Sequence, residues 1–194
     1  MKQSIYYNEG VKDCDIVFVL SCPGRDEEIS TPPKPLSKDT YESLNTLLSI
    51  LRSSDNEYSS QLRSIFKYDD IYSYTITKAS EKIHYEKKTG DAEPSVNEIK
   101  ENIPRLKKDL DHKRLIVSCG NIAKKALSYC DISEKVFVLQ MMHPSFSAIN
   151  RQIKSDIYGN KLITGEKGNK IKRLKVLSNM LENELLKKGL LKVN

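Results

Sequence analysis

No apolar run in this chain is longer than the five residues Ile16–Leu20, whereas a membrane-spanning helix needs about 20. A bilayer is therefore not an expected partner. The first ten residues, MKQSIYYNEG, lack the apolar core of a secretory leader, so the expected compartment is the cytoplasm. Cysteine is scarce as well. Cys14, Cys22, Cys119 and Cys130 form no C-x-x-C pair and lie at no zinc-finger spacing. They read as reduced structural thiols, with no metal site, iron–sulfur cluster or disulfide framework expected. No P-loop and no G-x-G-x-x-G occurs, so nucleotide hydrolysis and Rossmann redox chemistry have no support. No cofactor is expected. Histidine is limited to three positions, of which His84 and His112 read as surface residues and His143 does not.

What is present is enough for a core. The 194 residues are 38% hydrophobic and 30% charged, the composition of one folded domain over 1–194, expected to be a monomer. A chain of this size buries roughly 70% of its unfolded surface without staples. The charge is unevenly placed: residues 1–160 carry 23 basic and 23 acidic side chains, residues 161–194 nine basic and three acidic. The whole excess of +6 thus falls on the last stretch. It reads either as the solvated face of a basic C-terminal helix or as a surface for a polyanion, nucleic acid first, through Lys161, Lys167, Lys170, Lys172, Arg173 and Lys175.

Four β-branched runs, Ile16–Leu20, Ile71–Thr77, Leu115–Ser118 and Val136–Leu139, alternate with helical patterns. The first, third and fourth are nearly continuous apolar, as strands buried on both faces are. Tyr41, Leu44, Leu47, Leu48 and Leu51 share a helical stripe after Asp39, a candidate N-cap. Ser95 and Glu98 form a capping box, and the helix it starts should kink or break at Pro104. Residues 121–129 and 173–188 supply two more helices. Strands alternating with crossovers of this length predict a three-layer α/β/α fold with a four-stranded parallel sheet.

In such sheets ligands bind beyond the carboxyl ends of the strands. The four segments there are Ser21–Glu28, Lys78–Ser80, Cys119–Gly120 and Met141–Ser145. A Pro-Gly turn after the first strand and a His-Pro-Ser after the last are each weak signals alone. Together, and in the order IVFVLSCPGRDEE, KPLSKDTYESLNTLL, YTITKASEKIHYEKKTG, LIVSCGNIAKKAL and MMHPSFSAIN, they resemble the uracil-DNA glycosylase superfamily over about residues 15–152.

The resemblance implies DNA repair by base flipping, with hydrolysis of the N-glycosidic bond of a damaged or modified base in single- or double-stranded DNA. It implies that His143 donates a hydrogen bond to the departing base oxygen. Cys22, Pro23, Gly24 and Gly120 would line the base pocket, Ser145 would hold phosphate, and Phe146 would act as a wedge in the stack or as a rim aromatic. Two positions depart from the family pattern. Ser21 stands where active members place an acidic residue or Asn to orient water, with Asp26, Glu27 and Glu28 as substitutes or merely a solvated acidic trio. Lys78 stands where an Asn reads the base edge, and an ammonium offers donors only. An enzyme of altered base specificity and an inactive nucleobase- or DNA-binding module both fit.

Overall fold

A computed structural model describes residues 4–82 and 93–192, so His84 lies outside the described residues. In chain order its elements are β1 (Ile16–Leu20), α1 (Arg25–Glu28), α2 (Lys38–Arg52), α3 (Ser59–Ile65), β2 (Thr75–Lys78), α4 (Val96–Asp109), β3 (Leu115–Cys119), α5 (Asn121–Leu127), β4 (Phe137–Met141), α6 (Phe146–Gln152) and α7 (Asn169–Lys187). The chain divides into two compact units: Met1–Lys38 with Tyr72–Gln140, and Asp39–Ile71 with Met141–Asn194.

The first unit is built on a four-stranded parallel sheet in the order β2-β1-β3-β4, flanked by helices as an α/β/α architecture requires. Central β1 sets the register, with Leu20 opposite Lys78 on one side and Val19 opposite Ser118 on the other. Every residue of β1 and β3 is buried, which is why both read as unbroken apolar runs. Val17, Val19 and Ile116 pack with Ile99 and Leu106 of α4 and with Ala123, Ala126 and Leu127 of α5. Alternation along β1 sends Ile16, Phe18 and Leu20 to the opposite face, where they are equally buried.

Three sequence expectations need correction. The second β-branched run is not all strand: Ile71–Ser73 is a 3-10 turn, and β2 starts at Thr75. The Asn8 side chain donates to the Tyr72 and Tyr74 carbonyls at 2.9 and 2.7 Å, using acceptors that a longer strand would have needed. The fourth run is an edge strand, with Leu139 and Met141 buried but Phe137 and Gln140 exposed. Helix α4 is one helix through Pro104 rather than two short ones. Pro104 and Lys100 are both exposed, so the Lys100 carbonyl that loses its donor is on the solvent side. The capping box at Ser95 is present in both directions.

The second unit is helical. Helix α2 buries the predicted stripe of Leu44, Leu47, Leu48 and Leu51, but it begins at Lys38, which puts Asp39 in the first turn rather than at the cap. Helix α7 starts four residues before the predicted Arg173 and buries Leu174, Leu177, Leu181 and Leu185. Among the described residues no helix is long and apolar enough to cross a membrane.

Candidate functional site

Parallel strands deliver their following turns to one edge of the sheet, and in the first unit three of those turns are adjacent. Backbone bonds continue the β1–β2 pairing past both strands, from Ala79 N–H to Leu20 C=O at 2.8 Å and from Ser80 N–H to Ser21 C=O at 2.9 Å. Ser21, Cys22, Gly24, Lys78 and Gly120 are therefore brought to one edge, as the strand-end rule expects, with Pro23 buried beneath the first turn. Gly120 sits at φ 90°, ψ 174°, a conformation that a side chain would strain, and α5 starts immediately after it.

The chemistry at this edge is more internal than the sequence implied. Lys78 and Glu27 form an ion pair at 3.0 Å, with side chains only 1% and 5% exposed. Glu27 Oε1 also accepts the Ser37 N–H at 2.9 Å, and Oε2 accepts the Gly24 N–H. Of the acidic trio, then, Asp26 and Glu28 are exposed but Glu27 is a buried tie between the Pro-Gly turn, the 37–38 segment and β2. A Cβ on Gly24 would stand 3.4 Å from Glu27 Oε2, an ordinary van der Waals contact, so the carboxylate's approach does not itself require glycine there. One signal for the tie was in the sequence. Gly24 directly precedes α1 and Glu27 is the third residue of that helix, the spacing at which a glutamate reaches back to an N-cap amide.

A second buried cluster lies one residue back along β2. Arg105 of α4 donates to the Thr77 hydroxyl at 3.0 Å, to the Asp109 carboxylate and to the Lys78 carbonyl. Thr77 in turn donates to Asp109 at 2.6 Å. Burial pushes the Asp109 carboxyl up, while the Thr77 hydroxyl and the Arg105 charge oppose it. Burial likewise raises the thiols of Cys22 and Cys119, against the pull of the Lys78 charge on both and of the Ser21 hydroxyl on Cys22. Nothing local in the sequence marked Arg105 or Asp109.

The remaining candidates belong to the second unit. His143 Nδ1 accepts the Ser145 N–H at 3.2 Å. With Nδ1 used as an acceptor, the proton of the neutral ring sits on Nε2. Ser145 is the N-cap of α6, its hydroxyl accepting from Ala148 N–H at 3.4 Å, so that oxygen is engaged in a helix end. Phe146 is half-buried, its N–H donates to Asp39 at 2.8 Å, and the Lys170 ammonium lies 5.4 Å from its ring centroid. Its ring is thus partly covered by a cation.

Two of the six basic residues expected to meet a polyanion are occupied internally. Arg173 is 1% exposed and donates to the Ile153 and Leu162 carbonyls at 3.0 and 2.9 Å. Lys170 pairs with Asp39 and Glu42. Lys161, Lys167, Lys172 and Lys175 are exposed. Among the described residues no group of three or more His, Cys, Asp or Glu is arranged to hold a metal ion. No protein-family profile matches the chain, and no curated protein sequence matches it significantly.

Proposed function

We propose that this chain is a DNA glycosylase-like hydrolase that cleaves the N-glycosidic bond of a flipped, damaged or modified base. The observation that carries the reading is the state of His143. Cleavage leaves the electron pair of the C1′–N bond on the base, and the negative charge collects on a ring carbonyl oxygen. A neutral imidazole whose Nδ1 is held by the Ser145 amide presents an N–H at Nε2, the donor such an oxygen needs. The developing positive charge on the sugar is met by water, whose oxygen forms the new bond to C1′. Lys78 stands where the resembled family has a base-reading Asn, and with its ammonium buried against Glu27 that position supplies no amide edge for uracil, so uracil is not the favoured substrate.

The second reading, a module that binds a nucleobase or DNA without cleaving it, is favoured by the same ion pair. Glu27 is the one buried carboxylate of the acidic trio, and its oxygens are already occupied by Lys78 and two amides. It cannot serve as a water-activating base without breaking them. Base release from single- and double-stranded oligonucleotides carrying uracil, hypoxanthine, xanthine or bulky pyrimidine adducts separates the two. The enzyme reading expects release of a modified base, reduced about 10²–10³-fold in His143→Ala with DNA binding kept. Binding with no release from any substrate establishes the module reading, and efficient uracil release refutes the altered specificity.

A further inference from the structure

Between α6 and α7 the chain makes a small hairpin whose construction is out of proportion to its length. Ser155 and Lys161 form an antiparallel bridge, and Leu162 N–H donates to the Lys154 carbonyl at 2.8 Å. At the turn, Asp156 Oδ1 accepts the Tyr158 and Asn160 N–H groups, both at 2.9 Å, and Oδ2 accepts the Asn160 side-chain amide at 3.0 Å. Those hydrogen bonds, the Asn160 side chain's first, hold the Asp156 carboxyl below its usual range, and the Lys172 charge adds to them, so the turn's acceptor stays ionised. Below the bridge, the buried Arg173 guanidinium clamps the two arms, through Ile153 on one side and Leu162 on the other.

What this framework holds in place is a tyrosine in solvent. Tyr158 is 83% exposed, the highest value among the exposed large hydrophobic residues described, with Ile163 at 62% and Ile157 at 44%. Fixing a residue while leaving its side chain in water adds nothing to the core. Residues 150–175 carry eight basic and two acidic side chains, and with Arg173 buried and Lys170 paired to Asp39 and Glu42 six basic side chains remain against Asp156 and Glu166. A planar aromatic group held on a basic ground is the combination that binds single-stranded nucleic acid, where a base stacks on the ring and lysines follow the phosphates.

We propose that Tyr158 is a stacking platform for an unpaired base of single-stranded DNA, with Lys161 and Lys172 beside it as phosphate contacts. The proposal rests on the DNA-binding part of the reading above and not on its hydrolytic chemistry. A lipid surface fits less well. Insertion would carry Asp156, Asn160 and Lys161 toward the acyl region with the ring, and it has no use for a fixed hairpin tip.

The chain has no tryptophan, so Tyr158→Trp introduces a single indole fluorophore at the tip. The probes are a 16-nucleotide thymidine single strand, an abasic strand of equal length, and vesicles of phosphatidylglycerol and phosphatidylcholine. Expected are quenching of the indole emission by the thymidine strand but not by saturating abasic strand, and no response to vesicles. Tyr158→Ala should weaken binding of the thymidine strand by about five- to 150-fold, the loss one stacked base accounts for, while leaving the abasic strand unaffected. Equal quenching by the abasic strand, or unchanged affinity in Tyr158→Ala, overturns the proposal. A vesicle-induced blue shift without quenching by DNA overturns it in favour of a lipid surface. Base release by the wild-type protein combined with silent indole emission in the variant sinks the stacking role alone, whereas failure of every oligonucleotide to bind sinks the DNA-binding reading with it.

Discussion

Lys78 reads in the sequence as a cation offered to a ligand, and its environment makes it first a partner of Glu27. The two are 51 residues apart, and with both side chains at most 5% exposed neither charge has water to fall back on. Removing one member of such a pair leaves the other uncompensated, at a cost of about 3–5 kcal/mol. Lys78→Met should therefore lower the unfolding free energy by that amount in urea titration. Combining it with Glu27→Gln should cost less than the two single losses added, by at least about 1 kcal/mol, because the double variant has no stranded charge. Strict additivity would mean that the pair is not coupled. The consequence for function is practical: placing Asn at position 78 to restore a base-reading amide strands Glu27 unless position 27 is changed with it. Sequence could place Lys78 at a strand end but could not choose its partner. The only local clue, the Gly24–Glu27 spacing, is equally common in exposed helix starts. His143 is the contrasting case, since its acceptor contact comes from Ser145 two residues away and the His-Pro-Ser segment carries it whole.

Elements whose determinants are local were legible, and those set by distant contacts were not. Helix α4 begins where Ser95 and Glu98 say it should, because each side chain satisfies the other's backbone N–H within one turn. Ser95→Ala removes the acceptor for Glu98 N–H and should cost about 1 kcal/mol, read as a lower urea midpoint at unchanged m-value. An unchanged midpoint would mean that packing of Ile99 and Leu106 alone fixes this end. The start of β2 was misplaced for the opposite reason. It is decided by the Asn8 amide, 64 and 66 residues from the carbonyls it holds, and no window around residue 71 contains that information. Edge position misled at β4, where Phe137, at the start of the strand and on the same face as buried Leu139 and Met141, is left exposed. Asp39 shows a third kind of miss. Its residue type suits a cap, but its carboxylate receives the Phe146 N–H at the start of α6 instead.

On the scale of the whole chain, the excess of +6 confined to residues 161–194 was the clearest statement in the composition, yet it is not one uniform surface. Arg173 is buried as a clamp for the hairpin and Lys170 is tied to Asp39 and Glu42. The excess that can meet phosphates is thus carried by Lys161, Lys167, Lys172 and Lys175, all exposed. Binding that neutralises a phosphate releases condensed counterions, which gives a slope of about −0.7 in log K against log salt per contact on a single strand and about −0.9 on duplex. Replacing those four lysines by Gln should therefore flatten the salt dependence by up to about 2.8 on single-stranded DNA, if each makes one contact. Stability should scarcely change, because none of the four is buried. Arg173→Gln should do the reverse. It leaves two buried carbonyls short of their donors and loosens the hairpin, so it lowers the unfolding free energy while changing the salt slope little. A slope unmoved by the four substitutions, in a protein that still binds DNA, would assign the phosphate contacts to another surface and leave the C-terminal charge as the solvated face of α7.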